Sequence, residues 1–69
     1  MKYNLKWTNI YSNEIGYVGS VSKKKGYFIN APEKSDAKTY ATEKAAEKEI
    51  VLLTELGEAV NNRFEIETA

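Results

Sequence analysis

Residues 42–67, TEKAAEKEIVLLTELGEAVNNRFEIE, change hydrophobic period partway along. Through 42–56 the apolar residues Ala46, Ile50, Leu53 and Leu56 recur at helical spacing, with Glu43, Lys44, Glu47 and Lys48 on the opposite side. Through 62–67 they alternate, with Phe64 and Ile66 on one side and Arg63, Glu65 and Glu67 on the other. A period near 3.6 makes one stripe of a helix, and a period of two makes one face of a strand. The punctuation agrees with the periods. Thr42 offers an N-cap hydroxyl, Glu43 suits the positive end of the helix dipole, and Gly57 is the residue type that closes a helix in the left-handed region. In this reading Val60 extends the apolar stripe.

Upstream, period two dominates. Residues 2–8, KYNLKWT, place Tyr3, Leu5 and Trp7 on one face and Lys2, Asn4, Lys6 and Thr8 on the other. Asn9 to Asn13 holds Ser and two Asn, which favour side-chain to backbone bonds, so a loop is expected there. Residues 14–22, EIGYVGSVS, are read with Ile15, Tyr17, Gly19 and Val21 inward. Gly16 and Gly19 hint at a bulge or at close approach by a neighbour. Lys23-Lys24-Lys25-Gly26 then forms a hairpin turn, and Tyr27-Phe28-Ile29-Asn30 a third strand with Tyr27 and Ile29 inward. Pro32 ends the ladder, Ser35 and Asp36 favour a turn, and Lys38 to Ala41 is a candidate short edge strand. The prediction is a single α+β domain over residues 1–69. A three-stranded antiparallel meander and a C-terminal strand form its sheet, and one helix packs on one face.

Composition narrows the function. The chain has no His and no Cys, which removes the commonest general acids and bases, nucleophiles and metal ligands, disulfides and structural zinc included. No catalytic residue, cofactor site or metal site is expected. Glu14, Glu33 and Asp36 are read as surface charge, because two-carboxylate hydrolysis needs a cleft and a held separation. Dimerisation is a reasonable expectation for so small a core. The ten basic and ten acidic residues cancel, but unevenly. Residues 1–30 hold five lysines against Glu14, and residues 31–69 hold nine carboxylates against four lysines and Arg63. The longest apolar run, Ile50–Leu53, is far short of the ~20 residues that span a bilayer, and no secretory h-region opens the chain. A cytoplasmic protein is expected.

Two surfaces stand out. One helix covers one side of a sheet, so the other side should face water, and the alternation places Val18 and Phe28 there among Lys6, Arg63 and other polar groups. An exposed apolar pair in a polar surround fits a protein interface, unless side chains from the Pro32 loop fold over it. The second surface is the Lys23-Lys24-Lys25 turn, which with Lys2 and Lys6 could engage phosphates while Tyr27 or Phe28 stacks on a base.

GYVGSVSKKKGYF, TEKAAEKEI and the closing NNRFEIE together resemble the small strand–strand–helix–strand proteins of Gram-positive phages and prophages. That resemblance implies a non-enzymatic module that binds and adjusts a host protein in the host cytoplasm. Some such proteins inhibit defence nucleases, those of CRISPR systems among them. A second similarity, to the sheet-plus-helix arm-binding modules of tyrosine integrases, implies instead a sheet face that reads DNA.

Overall fold

The structure, a computed structural model describing residues 1–69, has four strands and one helix. The strands are β1 (Tyr3–Asn9), β2 (Ile15–Ser22), β3 (Tyr27–Ala31) and β4 (Asn62–Thr68), and the helix is α1 (Glu43–Glu55). All neighbours are antiparallel in the order β3-β2-β1-β4, so the meander is as expected and β4 joins beside β1. The α+β class read from the period switch is the architecture found. No helix is long and apolar enough to cross a membrane.

The β1–β4 pairing follows from side-chain matching. Leu5 lies opposite Ile66 and Trp7 opposite Phe64 on one face, while Lys6 opposes Glu65 and Thr8 opposes Arg63 on the other. Apolar and opposite-charge cross-strand pairs each stabilise a ladder by about 0.2–1 kcal/mol. The helix lies across the apolar face, burying Ala46 and Leu53 against Leu5, with Ile50 packed alongside. Thr42 caps it, its hydroxyl accepting from the Ala45 amide at 3.1 Å. At the other end Gly57 has φ +84°, and the Glu58 and Gly57 amides donate to the carbonyls of Leu53 and Thr54. That paired reversal satisfies two carbonyls at the helix end and turns the chain away. Val60 therefore leaves the stripe and stands exposed.

β2 departs from simple alternation. The β2–β3 register slips between Val18 and Ser20, with Gly19 as the extra residue. Before the slip Gly16 and Val18 face the helix side, and after it Val21 does, opposite Phe28. Ile15, Tyr17, Tyr27 and Ile29, read as inward, instead face away from the helix. Two contacts fix this parity. Gly16 lies beneath the Trp7 indole, where an added Cβ would sit 2.7 Å from Nε1 and 2.4 Å from Asn30 Oδ1. The indole N–H donates to that same Asn30 oxygen at 2.8 Å. With Gly16 under Trp7, Val18 must point to the core, and a single inserted residue then brings Val21 to the same side.

The bulge also opens a gap. Beyond Val18 the strand β2 leaves β1, and residues 38–40 fill the space. The Lys38 amide donates to the Val18 carbonyl (3.0 Å), and Tyr3 and Tyr40 exchange two backbone bonds (2.9 and 2.8 Å). The candidate edge strand at 38–41 is thus a bridge between two strands. Ahead of it residues 32–37, with one 3₁₀ turn (Lys34–Asp36), run as a strap over the face opposite the helix. Lys34 pairs with Glu67 at 3.3 Å and lies 6.0 Å from the centre of the Tyr17 ring, whose hydroxyl also donates to Glu67 (3.1 Å). Asn4 is buried at the end of the strap, its Nδ2 donating to the Lys38 carbonyl (3.1 Å) and its Oδ1 without a partner.

Candidate protein-binding surface

Val18 and Phe28 do not form a surface. Val18 is 0% exposed, packed with Leu5 and Leu53 in the core. Phe28 is half-buried on the helix side, its ring edge-on to Phe64 (centroids 5.4 Å apart) and tilted against Trp7 (6.1 Å). The correction has one physical cause, the change of parity across the bulge. Phe28 is equally unavailable to stack on a base. The Pro32 loop does fold over the far face, but over Asn4, which the alternation set on that face and which the strap buries, and over Tyr17, which the alternation set inward.

Lys6 and Arg63 do lie on the face away from the helix. Arg63 is exposed and Lys6 half-buried between Tyr17 and Glu65. Arg63 opposes Thr8, whose partner on the other side is Ile15, so Arg63, Thr8 and Ile15 form one row across the sheet. That row borders the end of the molecule built by the β1–β2 loop and the chain after α1. The loop is closed by its own hydrogen bonds. Asn9 Oδ1 accepts from the Tyr11 and Ser12 amides (both 2.9 Å), and Asn13 takes φ 63°, a conformation Asn tolerates. The Ile10 amide donates to the Asn61 carbonyl (3.0 Å), joining the loop to the segment that carries Val60.

This end presents Ile10 (48% exposed), Tyr11 (76%), Ile15 (63%) and Val60 (68%), half of the exposed large apolar side chains in the chain. Sequence reading assigned Ile15 and Val60 to the core and passed over Ile10 and Tyr11. The available signal was local: Ile10 and Tyr11 sit inside a run of turn-forming residues, where an apolar side chain has no sheet or helix to cover it. Arg63 adds a cation beside them, in no ion pair.

The basic turn is as expected. Lys23, Lys24 and Lys25 are all exposed, with Gly26 at φ +78° closing the hairpin and the Gly26 amide donating to the Ser22 carbonyl (2.9 Å). Lys2 is exposed at the same end of the sheet. Lys6 is separated from them along β1, opposite Glu65 and beyond the Lys34–Glu67 pair. One titratable group is strongly perturbed. Burial, and then the nearby Glu49 carboxylate, hold the Tyr40 hydroxyl protonated well above the usual tyrosine range. Glu49 Oε1 accepts from that hydroxyl (3.3 Å) and from Lys38 Nζ (3.0 Å), so one helix carboxylate fastens the end of the strap. No cleft indents the surface, and no three potential metal-ligating side chains lie together.

Set against known proteins, the chain matches no family model, no curated protein and no solved structure.

Proposed function

We propose that this chain is a non-enzymatic protein-binding module, encoded by a phage and directed in the host cytoplasm at a host protein such as a CRISPR or other defence nuclease. One observation carries the binding mode: Ile10, Tyr11, Ile15 and Val60 are exposed together at one hydrogen-bonded end of the sheet, beside the unpaired Arg63. Interface cores are enriched in aromatic residues and Arg, and Tyr11 and Arg63 supply one of each here among the aliphatic Ile10, Ile15 and Val60, with Glu14 exposed at the margin. The partner it fits is a protein surface with an apolar depression and a carboxylate at its margin for Arg63. The class of partner rests on the resemblance to small phage proteins.

The test is capture from host lysate by the full chain, followed by measurement of affinity with the purified partner. Tyr11→Asp combined with Val60→Asp should abolish capture of a stoichiometric partner, while changing Lys23, Lys24 and Lys25 to Ala leaves it intact. Loss in the lysine variant and retention in the Asp variant would overturn the assignment of this surface.

A nucleic-acid-binding role is the second reading, favoured by three exposed lysines in no ion pair and by the exposed Tyr27 next to them. Three to five phosphate contacts support only the non-specific range, about 10⁻⁴–10⁻⁶ M at physiological salt. Submicromolar, salt-sensitive binding of labelled DNA or RNA, lost in the triple lysine variant, would place this reading first.

A further inference from the structure

The two edges of the sheet are built differently. β4 carries the exposed charges of Arg63 and Glu65 along its free edge, the charge pattern that discourages strand addition. β3, Tyr-Phe-Ile-Asn-Ala, carries no charge at all, and its Tyr27 and Ile29 are 42% and 54% exposed. The strap that leaves β3 lies over β2, so the outer edge of β3 stays open. The charges sit on its two flanks, and they are opposite. Before β3 come Lys23, Lys24 and Lys25, and after it come Glu33 and Asp36, all exposed and none in an ion pair. The cation between those carboxylates, Lys34, is engaged by Glu67 and does not neutralise them.

We propose that β3 is a self-pairing edge, and that its occupant is β3 of a second copy of this chain, antiparallel about a two-fold axis at Ile29. Only that direction satisfies the flanks. A two-fold interface sets each surface against itself in reverse. With the axis at Ile29, Lys25 of one copy falls level with Glu33 of the other, so the basic tip meets the acidic start of the strap, twice over, with Asp36 behind it over β2. A parallel arrangement would set lysines on lysines and carboxylates on carboxylates. In the two-fold arrangement Ile29 packs on its own copy and Tyr27 faces the small Ala31, and the two four-stranded sheets become one of eight. Five residues of strand and two charged flanks bury little area, which places this dimer among weak, transient associations, below about 1,200 Å². The flanks make it sensitive to salt. The end that bears Tyr11 and Val60 stays free in this dimer.

Sedimentation of the full chain over a concentration series, up to about 1 mM and at about 50 and 500 mM salt, reads the association directly, since the Debye length shrinks several-fold over that range. A monomer–dimer equilibrium that weakens with salt is expected. Ile29→Lys should weaken it at least ten-fold with an unchanged circular dichroism spectrum. Two charge reversals at exposed positions keep the test independent of folding. Changing Lys23, Lys24 and Lys25 to Glu, or Glu33 and Asp36 to Lys, should each abolish self-association, and mixing the two variants should restore a one-to-one dimer. A chain that stays monomeric throughout at low salt overturns the proposal. So does a dimer indifferent to Ile29→Lys, or one that survives either charge reversal.

Discussion

The two halves of the sheet obey different rules. In the β1–β4 half, every apolar residue in the alternation faces the helix, and the two strands pair residue for residue from Tyr3–Thr68 to Asn9–Asn62. In the β2–β3 half, one extra residue at Gly19 divides the ladder, and parity before it differs from parity after it. Alternation reports a face only as far as the ladder is unbroken. A glycine in a strand that is apolar at both parities marks where that inference stops.

The largest effect should come from the regular half. Leu53→Ala empties a fully buried site against Leu5 and should cost about 2–5 kcal/mol in urea denaturation. For so small a domain that loss threatens folding itself. In the irregular half, Val18→Thr should cost about 1–3 kcal/mol, because it sets a hydroxyl without a partner in the core. A Val18→Thr melt indistinguishable from wild type would return Val18 to the surface and dissolve the contrast between the halves. Gly16→Ala should cost a comparable 1–3 kcal/mol by forcing the Trp7 indole off Asn30, with a shift in tryptophan emission as the local readout.

The next effect is smaller and depends on pH. The folded state keeps the Tyr40 proton to higher pH than the unfolded chain, in which tyrosine titrates near 10. The stability linked to Tyr40 is therefore complete below about pH 10 and declines as pH rises beyond it. Tyr40→Phe should cost about 0.5–1.5 kcal/mol at neutral pH. Its deficit relative to wild type should shrink as pH rises above about 10. A deficit that stays constant up to pH 12 would show that the proton is not held by the fold. The smallest effect belongs to Ile29→Thr, which should alter stability in dilute solution by no more than about 0.5 kcal/mol. Alternation predicts the reverse order for Val18 and Ile29, so this pair of variants separates the two accounts of the sheet.

Most of the fold was legible because its signals are local. The Thr42 cap, the Gly57 reversal, the helical stripe and the first and last strands are each written within a dozen residues. The strap and the face assignment of β2 were not, because both depend on contacts between distant residues. Only the placement of Trp7 over Gly16 decides which side of β2 is inside, and only the gap left by the bulge gives Tyr40 a strand to pair with. The candidate surface was misread for the same reason. The face on which Lys6 and Arg63 lie and the exposure of the lysine turn follow from type and position, whereas exposure of Ile15, Ile10 and Tyr11 depends on which neighbours fail to reach them.

The position of β1 has a consequence for how the chain folds. Its pairing with β2 closes over residues 9–14 (Thr8 to Ile15), but its pairing with β4 closes over residues 10–61 (Asn9 to Asn62). Loop-closure entropy makes the second event costlier by about 2 kcal/mol before any contact compensates it. Until then β1 holds a row of unpaired amides beside Leu5 and Trp7, with nothing on the far side. Arrival of β4 is the expected slow step, and in the interval before it β1 is the segment most open to wrong partners.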